Sequence, residues 1–421
     1  MRAVVFGTGR IACGVVGELL RDAGWNVMFV GRNRAVVDNL AANGRYRLRL
    51  SSGAGACERT ISGVDALVID DRRDVVGAVA AADLVVTAVG VSNLAAVAPV
   101  LADGLAARDT AVDVIACENH DDAGGLVQQL VLANAAEQAA LEIHGFAGGL
   151  VSRAVASRIG DPRAAEPLTF VGEPIRELIV DGAVLRRPTP VVDGLRVVSD
   201  FAAYVQRKLF VFSAGHATAA YLGQVKGYRF VHAAVRDPEI AAAVMEAMRE
   251  GQYGIAARYG TSFARFDGPP RRARRAGQCE ARHDRRAEAA LDTIFARFAN
   301  ASLCDPVARV GRDPRRKLNR SDRLLGAAQL ARDAGVDPSG LVMAAAAALC
   351  FECADDPGAE AMRAGVSSRG VTATLARECG IGPRSALADA VLEAWNRLTG
   401  GGWISGNALL SIDHPQWAWQ G

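Results

Sequence analysis

The chain opens on a short apolar run, Arg2-Ala3-Val4-Val5-Phe6. It meets a glycine turn, Gly7-Thr8-Gly9-Arg10-Ile11-Ala12, and residues 11–23 then carry apolar side chains at helical spacing. Strand, glycine turn and helix are the first unit of a dinucleotide-binding sheet. The glycines let the backbone approach a pyrophosphate, and the helix N-terminus supplies N–H groups and a positive dipole end. Gly7, Gly9, Arg10 and Ile11 are therefore candidate cofactor residues. A second strand reads at Asn26-Val27-Met28-Phe29-Val30, and the next position ordinarily carries an acid for the ribose hydroxyls. Here it is Gly31, followed by Arg32, Asn33 and Arg34. Removing the carboxylate and adding guanidinium groups suits a 2′-phosphate. The expected cofactor is NADP(H), with NAD as the alternative if the two arginines are ordinary surface charges.

A length of 421 residues allows two or three domains. Hydrophobic content of 50% and a net charge of +2 give a globular chain with no general affinity for nucleic acid. The longest apolar stretch, residues 341–351, is too short to span a membrane and reads as a packed Ala-rich helix. No signal peptide is read, and the eight cysteines are scattered, so a reduced cytoplasmic protein is expected. Cys350-Phe351-Glu352-Cys353 has C-x-x-C spacing but no second pair, and no metal site is expected.

The first half alternates apolar runs, at 83–89 and 112–117, with Ala-rich amphipathic stretches at 94–107 and 125–140. That alternation predicts a parallel sheet covered by helices. Residues 168–198 are richer in β-branched side chains and are expected to add antiparallel strands to the same domain. From about residue 200 the pattern is helical, over 201–222, 238–259, 287–298, 321–334, 340–353 and 385–398. The fold class expected is α/β: a Rossmann-like dinucleotide-binding domain (1–199) followed by a mostly α-helical substrate domain (200–399), with the active site in the cleft between them. An Arg-rich stretch at 266–286 reads as an exposed loop, and a tail at 400–421 carries Trp403, Trp417 and Trp419. The assembly expected is a monomer or small homo-oligomer.

A second informative run is Arg207-Lys208-Leu209-Phe210-Val211-Phe212-Ser213-Ala214-Gly215-His216-Ala217. A lysine desolvated in an apolar helix loses basicity and suits proton transfer with an alcohol. A snorkelling lysine and a satisfied core histidine would give the same pattern. Lys208 and His216 are eight residues apart, about 12 Å along an ideal helix. A local distortion at Gly215, or a substrate spanning the gap, would bring them into one site.

These segments together resemble the polyol-specific long-chain dehydrogenases, over nearly the whole chain. The resemblance rests on Phe6-Gly7-Thr8-Gly9, Thr87-Ala88-Val89-Gly90, Ile115-Ala116-Cys117-Glu118-Asn119, the Lys208 to Ala217 run and Ala220-Tyr221-Leu222-Gly223. It ends with Val310-Gly311-Arg312-Asp313-Pro314, Arg316-Lys317-Leu318 and Asp322-Arg323-Leu324. It implies metal-independent interconversion of a secondary alcohol and a ketone on a polyol or sugar phosphate. It makes Lys208 the general acid/base, His216 a hydrogen-bond partner of the substrate, Asn119 the group polarising the reacting oxygen and Lys317 a ligand of substrate hydroxyls. Thr87, Val89 and Gly90 fall on the cofactor side. Arg312, Arg316 and Arg323 are candidates for a substrate phosphate, or for interdomain salt bridges.

Three positions depart from the family pattern. Gly31 replaces the ribose-binding acid. Ser213 replaces an asparagine that donates to the substrate oxygen, and Ser152, in Val151-Ser152-Arg153-Ala154, replaces a carboxylate of the proton relay. The serines favour an altered substrate. The competing expectations are therefore a dehydrogenase for an unphosphorylated polyol, a uronate or an unusual sugar, and a catalytically impaired cofactor-binding protein.

Overall fold

The computed structural model describes residues 1–52, 55–188, 191–260 and 280–402. Their contacts divide into two compact units, Met1–Val205 and Gln206–Gly421. The Arg-rich stretch up to residue 279 and all three tail tryptophans lie outside the described residues, whereas residues 280–286, expected in the same loop, begin the helix Glu280–Phe298.

The first unit carries twelve strands: β1 (Arg2–Phe6), β2 (Asn26–Gly31), β3 (Arg45–Ser52), β4 (Gly55–Ser62), β5 (Val64–Val68), β6 (Leu84–Thr87), β7 (Asp113–Ala116), β8 (Gly145–Val151), β9 (Val155–Ile159), β10 (Thr169–Gly172), β11 (Leu178–Asp181) and β12 (Leu195–Val198). Eight form one sheet in the order β12-β11-β8-β7-β6-β1-β2-β5. Pairing from β5 across to β8 is parallel. β6 and β7 are buried at every residue because helices cover both faces, which is why they read as continuous apolar runs. Strand order reverses at β1, which lies between β2 and β6, and such a switch point opens a crevice at the carboxyl ends of the strands.

The region expected to add antiparallel strands divides between two sheets. β11 runs antiparallel to β8, but β12 runs parallel to β11. β10 joins a separate four-stranded sheet, β4-β3-β10-β9. That sheet was not anticipated, although the segment Arg45-Tyr46-Arg47-Leu48-Arg49-Leu50 alternates strictly. Its arginines face out and Tyr46, Leu48 and Leu50 face in. Tyr46 packs edge-on to Phe29 and Phe170. Arg153, between β8 and β9, is buried against Glu18 at 2.5 Å and donates to the Gly14 carbonyl, tying the first helix to this sheet.

The second unit is helical around one core. At its centre lie Lys208–Ser213 and Ala214–Val225, which continue the helix Phe201–Arg207 in the stretch expected as a helix over 201–222, with a distortion at Gly215 as one of two expectations. The middle segment is instead a π-helix. The helix Pro238–Tyr259 crosses it at Gly251, where a Cβ would meet the Phe210 carbonyl oxygen at 2.0 Å. The distortion therefore precedes Gly215, whose missing side chain serves packing instead: a Cβ there would meet Met248 Cγ at 2.6 Å. A helix at Pro357–Arg369 was not anticipated, although Asp356 before Pro357 caps it by accepting from Gly358 N and Ala359 N. Among the described residues no helix is long and apolar enough to cross a membrane.

Candidate active site

In the first unit, the ends of β1, β2, β5 and β6 frame a cleft of about 570 Å³. Gly7 has φ of +123°, and a Cβ there would meet the Ala88 carbonyl oxygen at 2.5 Å. The turns after β1 and β6 thus touch through a position only glycine fills. A Cβ on Gly9 would meet nothing within 4 Å, so that glycine leaves open space for a ligand rather than room for the protein. Gly31 is packed: a Cβ there would meet Thr8 Cγ2 at 2.6 Å and Oγ1 at 2.8 Å. An acid at this position would require Thr8 to move, so the missing ribose acid and Thr8 form one packing unit.

Arg32 lines the cleft and is exposed, as are Asn33, Asp70 and Asn93 in part or whole. Ile69, Ala96, Val97 and Val100 supply its apolar wall. Asp70, in the turn after β5, is the one acid that lines the cleft. β5 is only five residues long, a weak signal in the chain, and Ile69, Asp70 and Arg72 depend on it for their place at the cleft.

Of the other expected cofactor residues, Val89 alone lines the cleft. Arg10 donates to the Ala156 carbonyl at 3.0 Å. Ile11 is half-buried, and Thr87 is fully buried. Arg34 begins the helix Arg34–Asn43, which Asn33 caps by accepting from Val36 N. Val89 lines the cleft, and Gly90 does not. Both donate their backbone N–H to the Glu118 carboxylate, at 2.9 and 2.7 Å. Burial raises the Glu118 pKa despite these two bonds. Asn119 is exposed on the loop that follows. Ser152 Oγ donates to Glu177 Oε2 at 2.6 Å, so the serine has a carboxylate beside it.

In the second unit, Ser213, His216, Ala217, Arg309, Val310, Arg316, Lys317 and Arg323 line a pocket of about 190 Å³. Four of the eight are cations and none is an acid. The chain from 310 to 317 is pinned from several sides. Tyr221 Oη donates to the Gly311 carbonyl at 2.9 Å, and Asp313 N donates to Asp356 Oδ2 at 2.7 Å. Lys317 is buried, and its Nζ donates to the Arg312 carbonyl. Burial, with Arg323 and Arg316 close by, pushes its pKa down to about 7. The lysine poised near neutrality in this pocket is thus Lys317. Lys208, half-buried at the start of the π-segment, is not among the lining residues. Arg312 is exposed, and its guanidinium donates to the Asp355 carbonyl.

The imidazole of His216 stacks on Phe298, with centroids 5.1 Å apart and planes 4° from parallel. Its Nε2 lies 3.2 Å from Oδ2 of Asp305, whose other oxygen accepts from Arg309 Nε at 2.8 Å. Asp305 is 7% exposed. Burial works to raise its pKa, but the bonds from His216 and Arg309 hold it below the ordinary value. Sequence reasoning missed Asp305 and Arg309. Their signal is an Asp-Pro step before the helix Val307–Gly311, with the arginine four residues on.

The family model described as "Mannitol dehydrogenase Rossmann domain" matches residues 1–194, and "Mannitol dehydrogenase C-terminal domain" matches 200–267 and 279–398. The mannitol-1-phosphate 5-dehydrogenase of Geobacillus thermodenitrificans is 35% identical over 404 residues, covering 94% of this chain and 99% of the relative. That of Brevibacillus brevis is 34% identical over 402 residues, covering 94% and 98%. Among solved structures, Pseudomonas fluorescens mannitol 2-dehydrogenase, in ternary complex with NAD and D-mannitol, has a TM-score of 0.71 at 18% identity and covers 96% of this chain and 92% of that one. A substrate-free D-sorbitol dehydrogenase has a TM-score of 0.73 at 16% identity, covering 95% and 93%. These last two share the fold. With both family models spanning most of its length, and full-length relatives above 30% identity, the chain belongs to the mannitol dehydrogenase family and is a polyol dehydrogenase.

Proposed function

We propose that the chain interconverts a secondary alcohol and a ketone on a phosphorylated polyol, of the mannitol 1-phosphate and fructose 6-phosphate type, with NADP(H) and without a metal ion. The observation that carries the substrate class is the pocket of the second unit. Arg309, Arg316, Lys317 and Arg323 line it and no acid does, the three arginines being held from behind by Asp305, Asp313 and Asp322. Such a set suits a phosphate dianion, since guanidinium forks match its oxygens and a buried lysine gains its proton back beside an anion. Ser213 and His216 supply hydroxyl-reading groups to the same pocket.

The glycine cleft fits a dinucleotide. Gly9 leaves space where a backbone must approach a pyrophosphate, and the apolar wall suits an adenine ring. When bound, NADP supplies the acceptor or donor of the hydride. Lys208 takes the hydroxyl proton in oxidation and returns it in reduction. Asn119 donates its amide to the reacting oxygen, where charge develops. Arg32, exposed in the cleft where the acid is missing, supports the 2′-phosphate. Asp70 favours a second reading, NAD, because a carboxylate in the same cleft can take the ribose hydroxyls instead.

The test is nicotinamide absorbance with a panel of polyols, sugar phosphates and uronates, run with both cofactors. The expected result is reduction of fructose 6-phosphate with NADPH. Turnover of unphosphorylated polyols alone would overturn the substrate class, and equal or tighter NADH binding would overturn the cofactor.

A further inference from the structure

We propose that Asp305 is a positioning residue. It holds His216 in the tautomer protonated at Nε2, so that Nδ1 meets the substrate as a hydrogen-bond acceptor and reads a hydroxyl rather than the phosphate. This rests on the reading of the second unit's pocket as the substrate site.

Two constraints fix the imidazole. Phe298 stacks on one face at 5.1 Å, and the Asp305 carboxylate faces Nε2 at 3.2 Å. A carboxylate accepts hydrogen bonds and donates none while ionised, so the ring nitrogen facing it carries the proton. Asp305 stays ionised because Arg309 donates to its other oxygen. Its backbone is fixed as well: Val231 N donates to the Asp305 carbonyl at 3.0 Å, and Phe230 bridges Pro306. An aspartate on a pinned backbone, buried and shared between two donors, has little freedom to turn away.

The consequence is a division of labour within one small pocket. His216 lines it together with Arg316, Lys317 and Arg323. Arg316 and Arg323 can only donate hydrogen bonds, which suits a phosphate, and Lys317 joins them once a bound anion draws its proton back. A bare Nδ1 accepts, which suits a hydroxyl and repels a phosphate oxygen. The pocket thereby reads which end of a polyol phosphate faces which wall.

The experiment uses the full chain with ¹⁵N-histidine labelling and long-range ¹H–¹⁵N spectra at pH 8, with His216 assigned by its loss in His216→Asn. The expected wild-type signal is the Nε2–H tautomer. Asp305→Asn, whose amide can donate as well as accept, should give a mixture of tautomers. It should also raise KM for the polyol phosphate about tenfold, the size of one lost hydrogen bond, with a smaller change in kcat and unchanged cofactor affinity. Asp305→Glu should restore part of the loss. In a His216→Ala background, Asp305→Asn should add nothing further.

A wild-type His216 protonated at Nδ1 overturns the proposal directly, without any variant having to fold. Additive effects in the double variant overturn it by making Asp305 structural. A wild-type Nε2–H tautomer with unchanged KM in His216→Ala would leave the ring geometry standing. It would overturn the proposal through the pocket's assignment as substrate site, so the two failures are distinguishable.

Discussion

The cleft of the sheet unit is made largely of backbone. Its shape depends on atoms that are absent: no Cβ at Gly7, where two turns touch, none at Gly9, where the ligand space opens, and none at Gly31, against Thr8. The pocket of the helical unit is made of long charged side chains on a pinned turn, with a lysine whose pKa burial and neighbouring arginines push down to about 7. A site of the first kind is sensitive to added volume and indifferent to pH. A site of the second kind tolerates small changes of shape but answers to every change of charge and to the proton concentration. The contrast gives a set of measurements that break or sharpen it.

The largest effect is expected at Lys208. Lys208→Met should lower kcat by about 10²–10⁴-fold, the usual contribution of a positioned acid/base. Cofactor binding, followed by protein fluorescence, should be unchanged. A variant that keeps most of its rate would leave Lys317 as the proton carrier and move the chemistry into the cationic pocket.

Next is Gly7→Ala. The new Cβ would press on the Ala88 carbonyl and occupy a backbone region costing about 1–3 kcal/mol. Dinucleotide affinity should fall by about fivefold to a hundredfold by that cost, at every pH tested. Titration at two pH values checks both statements.

Arg32→Ala should weaken NADPH about tenfold or more, by loss of a charge-assisted hydrogen bond, and NADH little. Asp70→Asn should do the reverse if the carboxylate holds ribose hydroxyls. Paired titrations with both cofactors decide which side chain sets the preference.

Lys317 gives the pH arm. Its pKa of about 7 lies below the ordinary 10.5, so between these values the unfolded chain binds one more proton than the folded one. Stability should therefore rise with pH across that window, by at most about 1.4 kcal/mol per unit, and Lys317→Met should lose that slope. A phosphate ligand favours the charged amine. KM for a sugar phosphate should thus climb above pH 7, by at most about tenfold per unit. Lys317→Arg, always charged, should flatten the climb. Thermal unfolding and initial rates across pH 6–10 check both.

The smallest change expected is Ser213→Asn. It restores the amide of the family pattern and should improve fructose 6-phosphate turnover several-fold, provided the pocket is not built around a bulkier substrate. A loss of activity would mark an altered substrate.

Local order was legible in the sequence because neighbours along the chain decide it. The first strand, its glycine turn and its helix are contiguous, and so are the apolar runs that became β6 and β7. Gly7, Gly9, Gly31 and Arg32 were named on that ground, and they line one cleft. Asp70 enters that cleft only because β5 pairs with β2, a contact between segments separated by a helix and a hairpin. The four-stranded sheet joins β3 to β10 across more than a hundred residues of sequence in the same way.

In the helical unit, residue identity is legible from the chain and geometry is not. Ser213, His216, Lys317, Arg316 and Arg323 could each be picked out as residues with chemistry to do. The chain alone does not say that Lys208–Ser213 forms a π-turn, that a helix crosses it at Gly251, or that Asp305 faces His216. Nor does it say that Lys317 is buried in the cationic pocket with its pKa pushed down to about 7. Residue type and short-range spacing set propensity, phosphate-cradling turns and the supply of charges. Desolvation, the pairing of distant charges and the path of a helix under a neighbour's pressure depend on which surfaces meet, and only the tertiary structure decides that.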